Sequence, residues 1–344
     1  MNGERHVLVV GGAGYIGSVL TPVLLSGGYS VRALDSLLYD NSDSLGAVAD
    51  HPRFDFVQGD VRSAEDVRAA MDGITDVVLL AALVGDPVCK RNPDLARQTN
   101  LDGARGVIAA AADAAVGRFV FASTCSNYGL REDDAPAGEE EELHPLSLYA
   151  ETKVEMEQEL LGAELPFDAT ILRLSTAFGT SPRMRFDLTV SEFTRELALG
   201  HELEVYDADT WRPYCHVNDI SRGIATVLEA PAERVAGEVF NLGGDDSNHT
   251  KRSIVEAALK ALGEGEVRWA EGGIDARNYR VSFKKIQDRL GFFPDYTVDG
   301  AVGQLAKAIR AGMFADVEDR SLHYRNYELA AEGSGEGSGG GDAG

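Results

Sequence analysis

Residues 7–18, VLVVGGAGYIGS, decide the fold of this chain. Four apolar residues run into glycines at 11, 14 and 17 and then into a helical pattern, which reads as a buried strand, a tight turn and a helix. Gly11 permits the turn, Gly14 lets backbone N–H groups approach a pyrophosphate, and Gly17 lets the helix pack closely on the strand. A second strand at 30–34 ends in Asp35, about twenty residues beyond the turn, where a carboxylate binds ribose hydroxyls and repels a 2'-phosphate. These features together predict a dinucleotide at the helix N-terminus, NAD rather than NADP.

The rest of the chain extends this pattern. Further strands are expected at 54–58, 76–80, 118–122 and 168–174, separated by helical stretches that include 93–115 and 148–161. Such alternation predicts an α/β Rossmann fold, a doubly wound parallel sheet with ligands at the carboxyl ends of its strands. The expected NAD-binding domain is 1–180, with 213–245 returning to it. A smaller C-terminal α/β substrate lobe is expected from 181–212 and 246–330, with helices at 188–199 and 251–262. Residues 139–142 read as a solvated loop, and the Gly/Ser/Glu-rich stretch 331–344 as a disordered tail.

Composition narrows the function classes. The 344-residue chain is 44% hydrophobic and carries a formal charge of −24, with lysine only at 90, 153, 251, 260, 284, 285 and 307. This surface repels nucleic acid and anionic membranes, and its spread of acidic residues favours adaptation to high salt over an ordinary acidic protein. Cys89, Cys125 and Cys215 form no C-x-x-C pair, so neither a disulfide framework nor a thiolate zinc site is expected, and no histidine and carboxylate cluster has metal-ligand spacing. With no signal-peptide pattern or long apolar run, the expected location is cytoplasmic.

A second constellation is Tyr149 and Lys153 in SLYAETKVEMEQ. Residues four apart share a helix face, so the ammonium is expected to lower the tyrosine pKa from about 10 and make the phenol a usable acid/base. The strand at 118–122 delivers Ser123, Thr124, Cys125 and Ser126 to its end, where hydroxyls would hold a substrate oxygen.

At this point the chain resembles the extended short-chain dehydrogenases/reductases of the NAD-dependent epimerase/dehydratase family. GGAGYIG, with Gly11, Gly14, Tyr15, Ile16 and Gly17, resembles the cofactor loop. Gly59-Asp60-Val61 resembles the adenine-contacting turn, Leu80-Ala81-Ala82 the segment beside the nicotinamide ribose, and Asn100 the Asn of N-V-x-G-T. STCSNYG is similar to the hydroxyl-bearing segment with Thr124 at the catalytic Ser/Thr, and YAETK to Y-x-x-(S/T)-K. WRPYCHVND is similar to the segment that carries a diphosphate-binding arginine. The resemblance implies NAD as cofactor, held also by Ser123, Tyr149 and Lys153, with Thr124, Tyr149 and Lys153 as the catalytic set. It implies a nucleotide-sugar substrate contacted by Ser126, Thr176, Arg183, Arg212 and Arg277, and a homodimer built on the helices at 93–115 and 148–161. Cys125 reads either as part of the sugar pocket or as an inert strand-end cysteine, and His216 as a structural histidine.

Departures from the family pattern shape the activity. Dehydratases place Asp-Glu directly after the catalytic Thr, whereas this chain has Cys125-Ser126; many 4-epimerases place a Lys against NAD where Val84 stands here. The expected function is a nucleotide-sugar epimerase that oxidises its substrate to a keto-sugar by hydride transfer to NAD and returns the hydride to the other face. The alternatives are a dehydrogenase or ketoreductase with an exchanging cofactor and, more remotely, a non-catalytic NAD-binding scaffold.

Overall fold

The structure is a computed structural model that describes residues 5–131, 135–273, 277–327 and 329. The expected tail at 331–344 lies outside the described residues. In chain order the strands are β1 (His6–Val10), β2 (Ser30–Asp35), β3 (Phe54–Gln58), β4 (Asp76–Leu79), β5 (Arg118–Thr124) and β6 (Asp168–Leu174). They continue as β7 (Thr176–Phe178), β8 (Leu203–Tyr206), β9 (Trp211–His216), β10 (Glu238–Leu242), β11 (Asn248–Thr250) and β12 (Val267–Ala270).

Seven of them form one parallel sheet in the order β10-β6-β5-β4-β1-β2-β3. From β1 the chain winds outward to β2 and β3, then crosses back to β4, β5 and β6. The direction therefore reverses between β1 and β4, and a crevice opens beyond their carboxyl ends. Residues 7–10 are wholly buried because helices cover both sheet faces. Their side chains alternate: Val7 and Val9 pack with Leu20, Leu24, Ile220 and Ile224, while Leu8 and Val10 pack with Val107, Ala111, Met156 and Leu160.

The second half builds on this sheet rather than forming one of its own size. Helix Val217–Glu229 packs against helix Gly17–Ser26, and β10 adds the edge strand beside β6. β9 instead belongs to a small sheet with β7 and β11, and β8 pairs with β12. A separate apolar cluster, including Phe178, Phe193, Leu197, Val255 and Val302, joins these smaller sheets to helices Thr189–Ala198, Lys251–Leu262 and Val298–Arg310.

Two local expectations need correction. The helix expected over 93–115 is helix Pro93–Arg97, a π-helical stretch Gln98–Gly103 and helix Ala104–Asp113. Its wide turn turns Asn100 inward, where Nδ2 donates to the Leu83 carbonyl at 3.1 Å and Oδ1 accepts from the Leu83 N–H at 2.7 Å. In the loop expected at 139–142, residues 140–142 are exposed as expected, whereas Glu139 is half-buried and its carboxylate accepts from the Asn241 N–H at 2.8 Å on the sheet edge.

Candidate active site

A cavity of about 900 Å³ fills the crevice beyond the carboxyl ends of β1, β2, β4 and β5. Its glycine turn shows which small residues the packing requires. Gly11 has φ +88°, and a Cβ there would stand 2.8 Å from the Ala81 nitrogen; a Cβ on Gly12 would stand 2.5 Å from that of Ala33. A Cβ on Gly17 would fall onto the Gly11 carbonyl oxygen, so the helix could not approach the turn. Gly14 has room by comparison, its added Cβ meeting only the Gly11 oxygen at 3.2 Å, and its backbone faces the cavity. The wall also includes Tyr15 and Ile16 beside the turn.

Asp35 ends β2 in this wall with both carboxylate oxygens engaged. They accept from the Ala13 N–H at 3.0 Å and the Leu37 N–H at 2.9 Å, which braces a loop where Leu37 and Asp40 are left-handed. Burial pushes the Asp35 carboxyl up, and these backbone bonds oppose the shift. Asp60, Val61, Leu80, Ala81 and Ala82 line the same end, with Asp60 paired to Arg62 at 2.6 Å.

At the other end stand Thr124, Tyr149 and Lys153. Thr124 closes β5 and its hydroxyl accepts from the Ser126 N–H at 3.1 Å. Tyr149 and Lys153 come from helix Leu148–Gly162, whose N-cap Ser147 accepts from the Ala150 N–H at 3.3 Å and so fixes the first turn beneath the cavity. Lys153 is 3% exposed, donates to the Ala122 carbonyl at 2.7 Å and lies 6.0 Å from the centre of the Tyr149 ring. Burial lowers Lys153 to about 8. The expected lowering of Tyr149 is not what this geometry produces: burial pushes its phenol well above 10.0, aided by Cys89 and Asp86 and opposed by Arg185 and Arg277. A low-dielectric wall penalises phenolate more than these distant cations favour it.

The substrate-side residues divide. Ser126, Thr176, Arg183, Arg212 and Arg277 all reach the wall. Arg277 bridges Asp86 at 3.0 Å and donates to Ser126 Oγ at 3.3 Å, while Arg212 lies over the Tyr279 ring at 5.2 Å and donates to the Trp211 carbonyl at 2.7 Å. Cys125 does not reach it: the residue opens the 3-10 turn Cys125–Tyr128 that follows β5, is 1% exposed, and its thiol turns to the Arg173 carbonyl at 3.2 Å. Asn100 likewise stays behind the wall, holding the Leu83 backbone. Ser123 borders the cavity, but its hydroxyl donates to Glu157. His216 is buried, accepts from the Asn218 N–H at 3.1 Å and stacks on Tyr296 at 4.3 Å.

Several residues here were not found by sequence reasoning. Glu157, 2% exposed, takes hydrogen bonds from Ser123, from Asn127 at 2.9 Å and from Arg173 at 2.8 Å. A signal existed: Tyr149, Lys153 and Glu157 occur at successive four-residue steps and so share a helix face. Tyr39, Asp86, Asn326 and Tyr327 also line the cavity, and Asn326 donates to the Val84 carbonyl at 3.3 Å. Nothing in their local pattern marks them.

The chain matches the NAD dependent epimerase/dehydratase family over residues 7–243. It belongs to that family, and its cofactor is NAD. A dTDP-glucose 4,6-dehydratase of Streptomyces griseus is 34% identical over 313 residues, which cover 88% of this chain and 92% of the relative. A UDP-glucose 4-epimerase of Corynebacterium glutamicum is 29% identical across 85% of this chain and 91% of its own length. Among solved structures, a dTDP-glucose 4,6-dehydratase of Streptomyces venezuelae with NAD bound superimposes with a TM-score of 0.79 at 29% identity, covering 89% of this chain and 97% of that one. The glycine turn, Asp35 and the buried Lys153 suit a dinucleotide, and the substrates of these relatives are nucleotide sugars.

Proposed function

We propose that this protein is an NAD-dependent nucleotide-sugar epimerase. The observation that carries the reading is the pair of residues directly after Thr124. Dehydration requires one group to protonate a leaving hydroxyl and another to remove a ring proton. The two positions hold Cys125, whose thiol is turned away and pushed up by burial, and Ser126, a neutral hydroxyl beside Arg277. Neither performs that pair of steps.

In the proposed reaction Tyr149 takes the hydroxyl proton of the sugar at its phenol oxygen and later returns it, while Thr124 orients the reacting oxygen. Bound NAD would supply the hydride chemistry at that same carbon. Lys153 holds the nicotinamide ribose, and Arg212 and Arg277 hold the substrate diphosphate, for which guanidinium forks are suited. The division into an NAD-binding domain and a substrate lobe, the cytoplasmic location, the homodimer and the adaptation to salt remain part of this proposal. Among the described residues no helix is long and apolar enough to cross a membrane.

The test is incubation with NAD and UDP-, dTDP- and GDP-sugars in molar salt, with product analysis by NMR and absorbance of reduced nicotinamide. A new epimer without net NADH supports the proposal. Loss of water from the sugar makes the protein a dehydratase, and stoichiometric NADH makes it a dehydrogenase.

A further inference from the structure

Arg183 is 2% exposed, yet its Nε and Nη2 have no hydrogen-bond partner among the described residues. The phenol oxygen of Tyr39 is in the same condition, and the Arg183 guanidinium lies 4.7 Å from the centre of the Tyr39 ring. Both side chains line the cavity. Buried donors left unmatched are rare in folded proteins and mark places where a ligand completes the hydrogen bonding. The acidic groups nearby are already engaged: Asp187 takes two bonds from Arg185, at 3.0 and 2.6 Å, and Asp35 accepts from backbone N–H groups. Burial, with Arg185 alongside, lowers Arg183 to about 10, so it remains a cation at neutral pH.

The position of Arg183 identifies the ligand. The segment that carries it is stapled to the glycine turn. Ser181 Oγ donates to the Tyr15 carbonyl at 2.8 Å and bonds Ser18 Oγ at 3.0 Å, while the Tyr15 hydroxyl donates to the Gly179 carbonyl at 2.5 Å. Asp35, at the end of β2, is close enough to raise the basicity of Arg183. These links hold the segment that carries Arg183 beside the glycine turn, at whose helix N-terminus a pyrophosphate binds, and near the end of β2.

We propose that Arg183, backed by Tyr39, grips the phosphate oxygens of the cofactor's pyrophosphate from the side opposite the glycine turn. This replaces its sequence-based placement among the residues that contact the nucleotide-sugar substrate. The two diphosphates share a chemistry, so the experiment separates them.

Full-length protein freed of nucleotide is titrated by calorimetry with ADP-ribose, which carries the cofactor's pyrophosphate without nicotinamide, and with UDP. Arg183→Leu is expected to weaken ADP-ribose about 10- to 100-fold, the scale of charge-assisted hydrogen bonds, and to leave UDP within about threefold. Its melting temperature without nucleotide should rise, because an unmatched buried cation is gone, and the increase caused by NAD should shrink. Loss of UDP affinity with ADP-ribose retained overturns the proposal, as does unchanged affinity for both. If Arg183→Leu does not fold, Tyr39→Phe decides. It removes one hydroxyl and is expected to weaken ADP-ribose severalfold with UDP unaffected; unchanged ADP-ribose affinity overturns the proposal.

Discussion

Lys153 gives its hydrogen bond to the Ala122 carbonyl at 2.7 Å and stands 6.0 Å from the centre of the Tyr149 ring. The two residues share a helix face, but burial raises the phenol above its ordinary value. Tyr149→Phe is expected to lower turnover by about 10²- to 10⁴-fold, the range of general acid/base catalysis, while NAD affinity measured by fluorescence titration stays within about threefold. Retained turnover would remove Tyr149 from the mechanism.

Behind that pair, Glu157 and Arg173 form a buried ion pair at 2.8 Å that also anchors Ser123 and Asn127 at the end of β5. Replacing one partner leaves the other uncompensated. Glu157→Gln should cost about 3–5 kcal/mol in urea unfolding, and the double variant Glu157→Gln, Arg173→Met less than the sum of its two single changes. Strict additivity would mean that the pair is not coupled.

Burial pulls His216 down from 6.5 to about 4. The folded protein therefore keeps this imidazole neutral while the unfolded chain takes up a proton near 6.5. The stability that comes from the neutral form is complete above pH 6.5 and is lost as the pH falls toward 4. Wild-type protein should lose about 3 kcal/mol more than His216→Asn across that window, measured as unfolding free energy at several pH values. Parallel pH curves would show that His216 does not titrate in this way.

The inward thiol of Cys125 gives a separate expectation. Burial raises it well above an ordinary thiol, so it should react with disulfide reagents only when the protein unfolds. Cys125→Ala should keep turnover within about threefold. A larger loss, with the fold intact by circular dichroism, would return Cys125 to the sugar pocket.

Much of the scaffold was legible before any tertiary information. The strands expected at 54–58 and 168–174 match β3 and β6 residue for residue, and the other strand ends up to residue 174 lie within two residues of those expected. A buried parallel strand needs a continuous apolar run between helical segments, and each such run here is bounded by turn residues or charge. Of the three glycines read from the spacing, Gly11 and Gly17 meet atoms of the turn itself or of the segment beside it, whereas Gly14 meets only the Gly11 oxygen at 3.2 Å. The π-helical stretch at 98–103 was not readable, and the contact it accompanies, between Asn100 and the Leu83 backbone, joins residues that are distant in sequence.

The sequence by itself determined the α/β class, the dinucleotide turn with Asp35, and the four-residue step that puts Tyr149 and Lys153 on one face. These properties arise from covalent spacing and local periodicity, which operate within a single element or between neighbouring ones. Only the tertiary structure decided that Cys125 points inward, that Glu157 meets Arg173, and that the Arg183 guanidinium packs over the Tyr39 ring. Each of those depends on how separate elements pack, and packing sets both the distance between charges and their access to water.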